Sequence, residues 1–148
     1  MVTDPRETLA AGDIVLVIDV QNDFCPGGAL AIEDGDAVVP VLNRWIAAAV
    51  ARDVPDSAVI VSKGVRFDQD QNSVFDQTGL ASHLRTRNIT RLWVGGLAED
   101  VCVLATVLDA RREGFAVVVI DDGARPLTPE GGREARRAMR KAGADVPE

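Results

Sequence analysis

The chain has 148 residues, of which 26% are charged and 47% hydrophobic, a composition typical of one compact globular domain over residues 1–148. The formal net charge is −7, which argues against nucleic acid or an anionic membrane as the main partner, because both require clustered Lys and Arg. Two cysteines far apart in sequence argue against a disulfide framework and favour a reducing compartment.

The N-terminal sequence predicts no signal peptide. The first 13 residues are polar and acidic, unlike a signal peptide, and no apolar run approaches the ~18 residues that span a bilayer. We therefore expect a cytoplasmic protein with a small-molecule partner, and homo-oligomer formation is left open. A basic cluster near the C-terminus is interpreted as a solvated helix face, and it comprises Arg133, Arg136, Arg137, Arg140 and Lys141.

Four short apolar runs rich in β-branched residues predict strands. In chain order they cover residues 14–20, 58–62, 91–95 and 116–121. The apolar residues in each run are continuous rather than alternating, which is typical of strands that are buried on both faces of a parallel sheet.

Helical patterns separate these runs. Apolar residues recur at helical spacing over residues 38–49 and 101–108, and weaker patterns cover about 77–87 and 129–142. Alternation of strands with helices predicts right-handed crossovers. The predicted fold is therefore an α/β three-layer sandwich, with a mainly parallel sheet and helices on both faces.

Three chemically useful residues accompany the ends of three predicted strands. Asp19 lies at the end of the first strand, Lys63 directly follows the second, and Cys102 lies after the third, where a helix begins. Ligands of open parallel sheets bind beyond the carboxyl ends of the strands, so we expect these side chains to lie near one another.

Cys102 has two interpretations. The positive end of a helix dipole stabilises a thiolate, and Gly95 and Gly96 allow backbone N–H groups to turn toward a developing oxyanion. The alternative is a buried structural cysteine, which is a common role for a free thiol.

Asp19 and Lys63 are equally open to two interpretations. Asp19 interrupts an apolar strand, and it is either a general base for a thiol or a cap of the following turn. Lys63 is either a cation that stabilises the carboxylate and thiolate or an ordinary lysine at a strand end. His83, the one histidine, is interpreted as an exposed residue of a surface helix, and no His or Cys cluster has metal-ligand spacing.

Three blocks, in this order, resemble the nicotinamidases within the isochorismatase-like cysteine hydrolases. The first is VIDVQNDFCPGGAL with the EDG that follows, the second is SKG followed by FDQTGL, and the third is GGLAEDVCV followed by ATVLDA. The resemblance covers most of the chain from residue 13 to residue 126.

The resemblance implies a catalytic triad of Asp19, Lys63 and Cys102. In this mechanism Asp19 takes the thiol proton, Cys102 attacks the carboxamide of nicotinamide, ammonia leaves, and water hydrolyses the thioester to nicotinate. The implied role is pyridine nucleotide salvage. The resemblance also implies an oxyanion hole formed by the N–H groups of Ala98 and Cys102, a cis peptide between Leu97 and Ala98, and Phe24 in the pyridine pocket.

One segment of the family has no counterpart in this chain. In the family a second strand leads into an Asp-x-His…His segment that binds a divalent metal, whereas here residues 53–57 alone separate the first long helix from the next predicted strand. We therefore expect a sheet shortened by at least one strand, no metal ligands and no evident cofactor. In addition, Asn72 stands where an aromatic residue is often found, and Glu99 where a small or hydroxyl-bearing residue is common.

Three functions are compatible with these residues. The first is a cysteine amidohydrolase of the nicotinamidase type, and the second is a catalytically inactive, shortened homologue that acts as a binding or oligomeric partner. The third is a related hydrolase of another small amide or of an isochorismate-like substrate. Retention of Lys63 and Cys102 favours amide cleavage, whereas the missing metal segment favours the inactive form.

Overall fold

A parallel sheet forms the middle of the protein in a computed structural model that describes residues 3–52 and 72–148. Its strands are β1 (Asp13–Ile18), β2 (Arg91–Leu97) and β3 (Ala116–Arg125), in the order β1-β2-β3. They confirm three of the predicted strands. The predicted strand 58–62 and Lys63 lie outside the described residues, so their place in the sheet stays a prediction.

Helices cover both faces of this sheet, as predicted. The helices of the described residues are α1 (Pro5–Thr8), α2 (Val38–Val50), α3 (Leu80–Thr86), α4 (Leu104–Arg112) and α5 (Pro129–Lys141). On one face α2 buries Leu42 and Trp45 against Trp93 of β2. On the other face α4 and α5 bury Val107 and Met139 against the sheet. The two separate cores define a three-layer α/β sandwich.

Local backbone geometry changes several predicted boundaries. β1 ends at Ile18 because Asp19 adopts a left-handed conformation with φ 42°, which no strand accommodates. α3 begins only at Leu80, after Gly79 with φ 74°. A shift in pairing register between Val94 and Gly96 of β2 allows β3 to stay paired with β2 as far as Arg125. None of the described helices is long and apolar enough to cross a bilayer.

A partly buried ion pair joins the amino ends of β1 and β2. Arg91 donates to Asp13 from Nε at 2.8 Å and from Nη2 at 2.6 Å, and Trp93 Nε1 donates to the same carboxylate at 3.2 Å. Burial acts to raise the pKa of Asp13, but the hydrogen bonds from Arg91, the Ala10 N–H and Trp93 outweigh it, so the pKa lies below its ordinary value of 3.8.

Replacing Asp13 by asparagine is expected to lower the free energy of unfolding at pH 7 by about 1–2 kcal/mol, since Arg91 loses its charged partner. The magnitude is modest because the Arg91 side chain is 36% exposed and water screens its charge. A depressed carboxyl pKa stabilises the fold above the unfolded value of about 3.9, and this stabilisation is lost as the pH falls through the folded pKa. Urea unfolding of the wild type and the variant at pH 7 and pH 2 measures the difference in their free energies of unfolding. The difference between wild type and variant should shrink in acid, and an undiminished difference at pH 2 would contradict the charge-based account.

Candidate active site

Cys102 lies in a π-helical turn, Glu99–Val103, which connects β2 to α4 and is called the Cys102 turn below. The carbonyl of Ala98, which precedes the turn, accepts hydrogen bonds from the N–H groups of Val101 at 3.2 Å and Val103 at 3.1 Å. Single π-turns are rare and occur frequently at functional sites. Cys102 is half-buried and packs against the core that α4 and α5 form on the sheet, so its role as a nucleophile stays a prediction.

Close backbone packing sets the position of the Cys102 turn. A Cβ atom at Gly96 would lie 2.0 Å from the carbonyl oxygen of Ile18 in β1, and one at Gly95 would lie 2.8 Å from the carbonyl oxygen of Gly123 in β3. Both contacts are too short for any side chain. The two glycines therefore allow the end of β2 to lie directly between its two neighbours.

The peptide between Leu97 and Ala98 is cis, which confirms the expectation drawn from the family resemblance. Ala98 is buried and is the N-cap of the Cys102 turn. The backbone N–H groups of Ala98 and Cys102 thus belong to one continuous turn at the carboxyl end of the central strand. Their function as an oxyanion hole stays a prediction.

Asp19 lies at the same end of the sheet as the Cys102 turn. It directly follows Ile18, which pairs with Gly96 two residues before Ala98. Its side chain is half-buried, and Oδ1 accepts a 3.4 Å hydrogen bond from Gln21 Nε2. The bond to Gln21 agrees with the turn-capping interpretation, and the location agrees with that of a general base. The structure therefore brings Asp19 and Cys102 to neighbouring strand ends, while Lys63 lies outside the described residues and the triad stays a prediction.

Phe24 ends a 3₁₀ turn, Asn22–Phe24, in the loop that follows β1. It is half-buried and packs on the core that α2 forms against the sheet. The loop is held at this point because the Ile32 N–H donates to the Phe24 carbonyl at 3.0 Å. Phe24 thus lies in a loop at the carboxyl end of β1, and its contact with a pyridine ring stays a prediction.

Asn72 lies beside the thiol of Cys102, and in the sequence it stands out only as a departure from the family. Its Oδ1 lies 4.0 Å from Sγ of Cys102. The Val74 N–H donates to the buried Thr106 Oγ1 at 3.2 Å, which holds this segment against α4. A side chain with both an amide donor and an acceptor therefore lies beside the sulfur. The one signal in the sequence was the replacement of an aromatic residue by asparagine.

The described residues hold no group of three or more His, Cys, Asp or Glu that could hold a metal ion. The whole chain contains one histidine, His83, which lies on α3. It is half-buried rather than exposed, because its neighbour Leu84 packs into the core, and its Nε2 is buried without a hydrogen-bond partner among the described residues. One histidine cannot supply an Asp-x-His…His set, so the residues present do not fit the family's divalent metal.

The chain belongs to the isochorismatase family, since residues 62–147 match the Isochorismatase domain. It is 31% identical to a nicotinamidase of Escherichia coli (strain K12), with 89% of this chain and 92% of that protein covered. It is 28% identical to a pyrazinamidase of Pyrococcus horikoshii solved in complex with zinc, with a TM-score of 0.86 and coverage of 93% of this chain and 99% of that one. A probable inactive nicotinamidase of Arabidopsis thaliana is 25% identical, with 78% of this chain and 82% of that protein covered. In family terms these relatives support an amide hydrolase.

The alignment with the Escherichia coli nicotinamidase also bears on the length of this chain. It spans 197 positions, 49 more than the 148 residues present here. At least that many positions therefore lie opposite gaps in this chain. This length difference supports the prediction that a segment of the family is missing.

Proposed function

We propose that this protein hydrolyses a small linear carboxamide, nicotinamide in the first instance, to the carboxylic acid and ammonia in pyridine nucleotide salvage. One observation carries the proposal: a half-buried thiol lies in a π-turn at the carboxyl end of β2, and the carboxylate of Asp19 follows the paired end of β1. The family relationship to a nicotinamidase supports the choice of substrate.

The proposed reaction has two halves with Asp19 as the base in each. Asp19 accepts the thiol proton, and the sulfur of Cys102 attacks the carboxamide carbon. The N–H groups of Ala98 and Cys102 stabilise the oxyanion, where each well-placed donor contributes about 10²–10³ in rate, and the Lys63 ammonium stabilises the negative charge. Asp19 then returns the proton to the leaving nitrogen and ammonia departs. In the second half Asp19 takes a proton from water and the hydroxide attacks the thioester carbon. The carbon–sulfur bond breaks, the carboxylic acid leaves, and Asp19 returns the proton to the Cys102 sulfur.

Two residues, Phe24 and Asn72, have side chains suited to contact a flat polar ring. Phe24 offers an aromatic side chain in the loop after β1, and Asn72 offers an amide 4.0 Å from the sulfur. Because the chain lacks the family's histidine ligands, recognition of the ring in this proposal uses these side chains and requires no metal.

An inactive homologue that serves as a binding or oligomeric partner is the second candidate. The observation in its favour is the donor set, since one histidine in the chain cannot form the family's metal site. The similarity to a probable inactive nicotinamidase points in the same direction.

Ammonia release by the purified protein separates the two candidates. After treatment with EDTA, turnover of nicotinamide is expected to be unchanged within about two-fold by added Zn²⁺, Mn²⁺ or Fe²⁺, because the residues that would bind such an ion are missing. Benzamide, which lacks the ring nitrogen, serves as the matched substrate and should react at a comparable rate. Absence of turnover by a folded protein favours the inactive candidate, and stimulation by metal would contradict the metal-independent reaction.

A further inference from the structure

We propose that the ion pair between the buried Glu99 and the half-exposed Arg136 is a positioning pair that fixes the Cys102 turn in its reactive geometry. The inference rests on the proposed function, because it assigns to these residues an effect on the thiol that does the chemistry. Neither residue is expected to touch substrate.

Glu99 and Arg136 form a rigid, two-pronged contact. Arg136 Nε lies 2.7 Å from Glu99 Oε1, and Arg136 Nη2 lies 3.1 Å from Glu99 Oε2. Two parallel charge-assisted hydrogen bonds fix orientation as well as distance. The Glu99 side chain is 3% exposed and that of Arg136 is 38% exposed, so the carboxylate is fully inside the protein and the guanidinium is its partner.

Glu99 lies at a position in the chain where a rigid side-chain contact affects the placement of the proposed oxyanion hole. It directly follows Ala98 and precedes Cys102 by three residues, so it lies between the two proposed oxyanion donors. Its backbone carbonyl accepts a hydrogen bond from the Leu104 N–H, so the residue is held by its main chain as well as by its carboxylate. A displacement of Glu99 would therefore move both proposed donors.

A second carboxylate of the same turn is held by the segment that leads into α5. Asp100 Oδ1 accepts a 2.9 Å hydrogen bond from the Leu127 N–H. α5 approaches closely here, since a Cβ atom at Gly131 would lie 2.3 Å from Asp100 Oδ2 and one at Gly132 would lie 3.5 Å from Glu99 Oε2. The first two residues of the Cys102 turn are thus both anchored to the α5 region.

Because both residues of the pair are charged, removing either one is expected to change the stability of the Cys102 thiolate, which the loss of an uncharged contact would not do. Without Arg136, the Glu99 carboxylate is left uncompensated near Cys102 and disfavours the thiolate. Without Glu99, the Arg136 guanidinium loses its hydrogen-bonded carboxylate and keeps only the electrostatic attraction of Asp121 and Asp122, so its remaining positive charge favours the thiolate. The other charges on the Cys102 turn and on the elements around it are the same in both variants. They belong to Asp19, Asp76, Asp100, Asp121, Asp122 and the charged residues of α4 and α5.

The experiment uses the Cys25→Ser protein, in which Cys102 is the one remaining cysteine. Alkylation by iodoacetamide at pH 7, followed by mass spectrometry, is expected to be about three-fold slower in Arg136→Gln and about three-fold faster in Glu99→Gln. Values of kcat for nicotinamide should fall about ten-fold in both variants, with KM changed less than about two-fold, because the reactive geometry rather than binding is lost.

Two further variants separate geometry from charge and from folding. Arg136→Lys keeps the charge but loses the two-pronged contact, so its alkylation rate should match that of the parent while kcat still falls. The matched control is Arg137→Gln, an exposed position on the same helix, which should change neither quantity. Circular dichroism confirms folding, and Arg136→Lys carries the test if a glutamine variant does not fold.

The outcomes for this inference and for the proposed function are distinguishable. Folded Arg136→Lys and Glu99→Gln proteins with parental kcat, together with a parental alkylation rate in Glu99→Gln, would overturn the positioning role. If the parent protein releases no ammonia but the two glutamine variants shift alkylation in opposite directions, the proposed function fails while the effect of the pair on the thiol stands.

Discussion

Replacing Cys102 by alanine is expected to reduce the rate of ammonia release from nicotinamide by about 10⁴-fold or more. The thiol supplies the bond-forming electron pair in the proposed reaction, and removing the nucleophile of such a triad leaves only the contribution of binding and oxyanion stabilisation. Alanine is helix-compatible and smaller than cysteine, so the half-buried Cys102 turn is expected to keep its backbone. A continuous assay of ammonia with saturating substrate measures the effect.

Cys25→Ala is the matched control, because it removes the other thiol of the chain. Cys25 lies in the loop after β1, where its main chain holds the turn by accepting from the Gly28 N–H at 2.9 Å and donating to the Asn22 carbonyl at 3.1 Å. Alanine leaves both bonds intact, and turnover should stay within about two-fold of the parent. Turnover by the Cys102→Ala protein at the parental rate would remove the thioester mechanism.

Replacing Gly96 by alanine is expected to destabilise the fold by about 4 kcal/mol or more, and to leave little folded protein. The new Cβ would lie 2.0 Å from the Ile18 carbonyl oxygen and 2.7 Å from the Ile18 backbone nitrogen. Since these atoms belong to the paired strand β1, they can retreat only if the β1–β2 pairing opens. The φ of 136° at this position is also one that residues with a side chain rarely adopt.

Gly114→Ala is the matched control for this substitution. Gly114 also has a positive φ, 94°, but a Cβ atom there would meet nothing within 4 Å. The expected loss is therefore about 1–2 kcal/mol, from backbone conformation alone. Urea unfolding of both variants measures the difference. Equal losses at the two positions would contradict the close approach of β1 and β2 that positions the Cys102 turn.

The layered fold was predictable from the sequence, because buried strands and helices show recognisable patterns of apolar residues. β2 is buried from Leu92 to Leu97, which is why apolar residues and glycines follow Arg91 without interruption. α2 turns Leu42 and Trp45 inward at helical spacing, so its periodicity identified the helix. The end of β1 at Ile18 was not predictable, because it depends on the backbone conformation of a single aspartate.

The candidate site was predictable only in part, because its contacts join distant residues. The pair of Glu99 and Arg136 is separated by 37 residues, and the basic cluster was interpreted as wholly solvated, whereas Arg136 pairs with a buried carboxylate. The contact of Asn72 with Cys102 joins residues 30 apart. The cis peptide before Ala98 was expected from the family resemblance alone, since no local pattern of residues specifies it.

The proposed reaction depends most on the convergence of Asp19, Lys63 and Cys102, and a crystal structure that includes all three side chains measures this convergence directly. We predict that Lys63 Nζ lies within about 4 Å of the Asp19 carboxylate, the range of a salt bridge, and that the same carboxylate is within hydrogen-bonding reach of Cys102 Sγ. A structure in which Lys63 Nζ lies more than about 8 Å from both groups, beyond the Debye length at physiological ionic strength, would contradict the proposed triad.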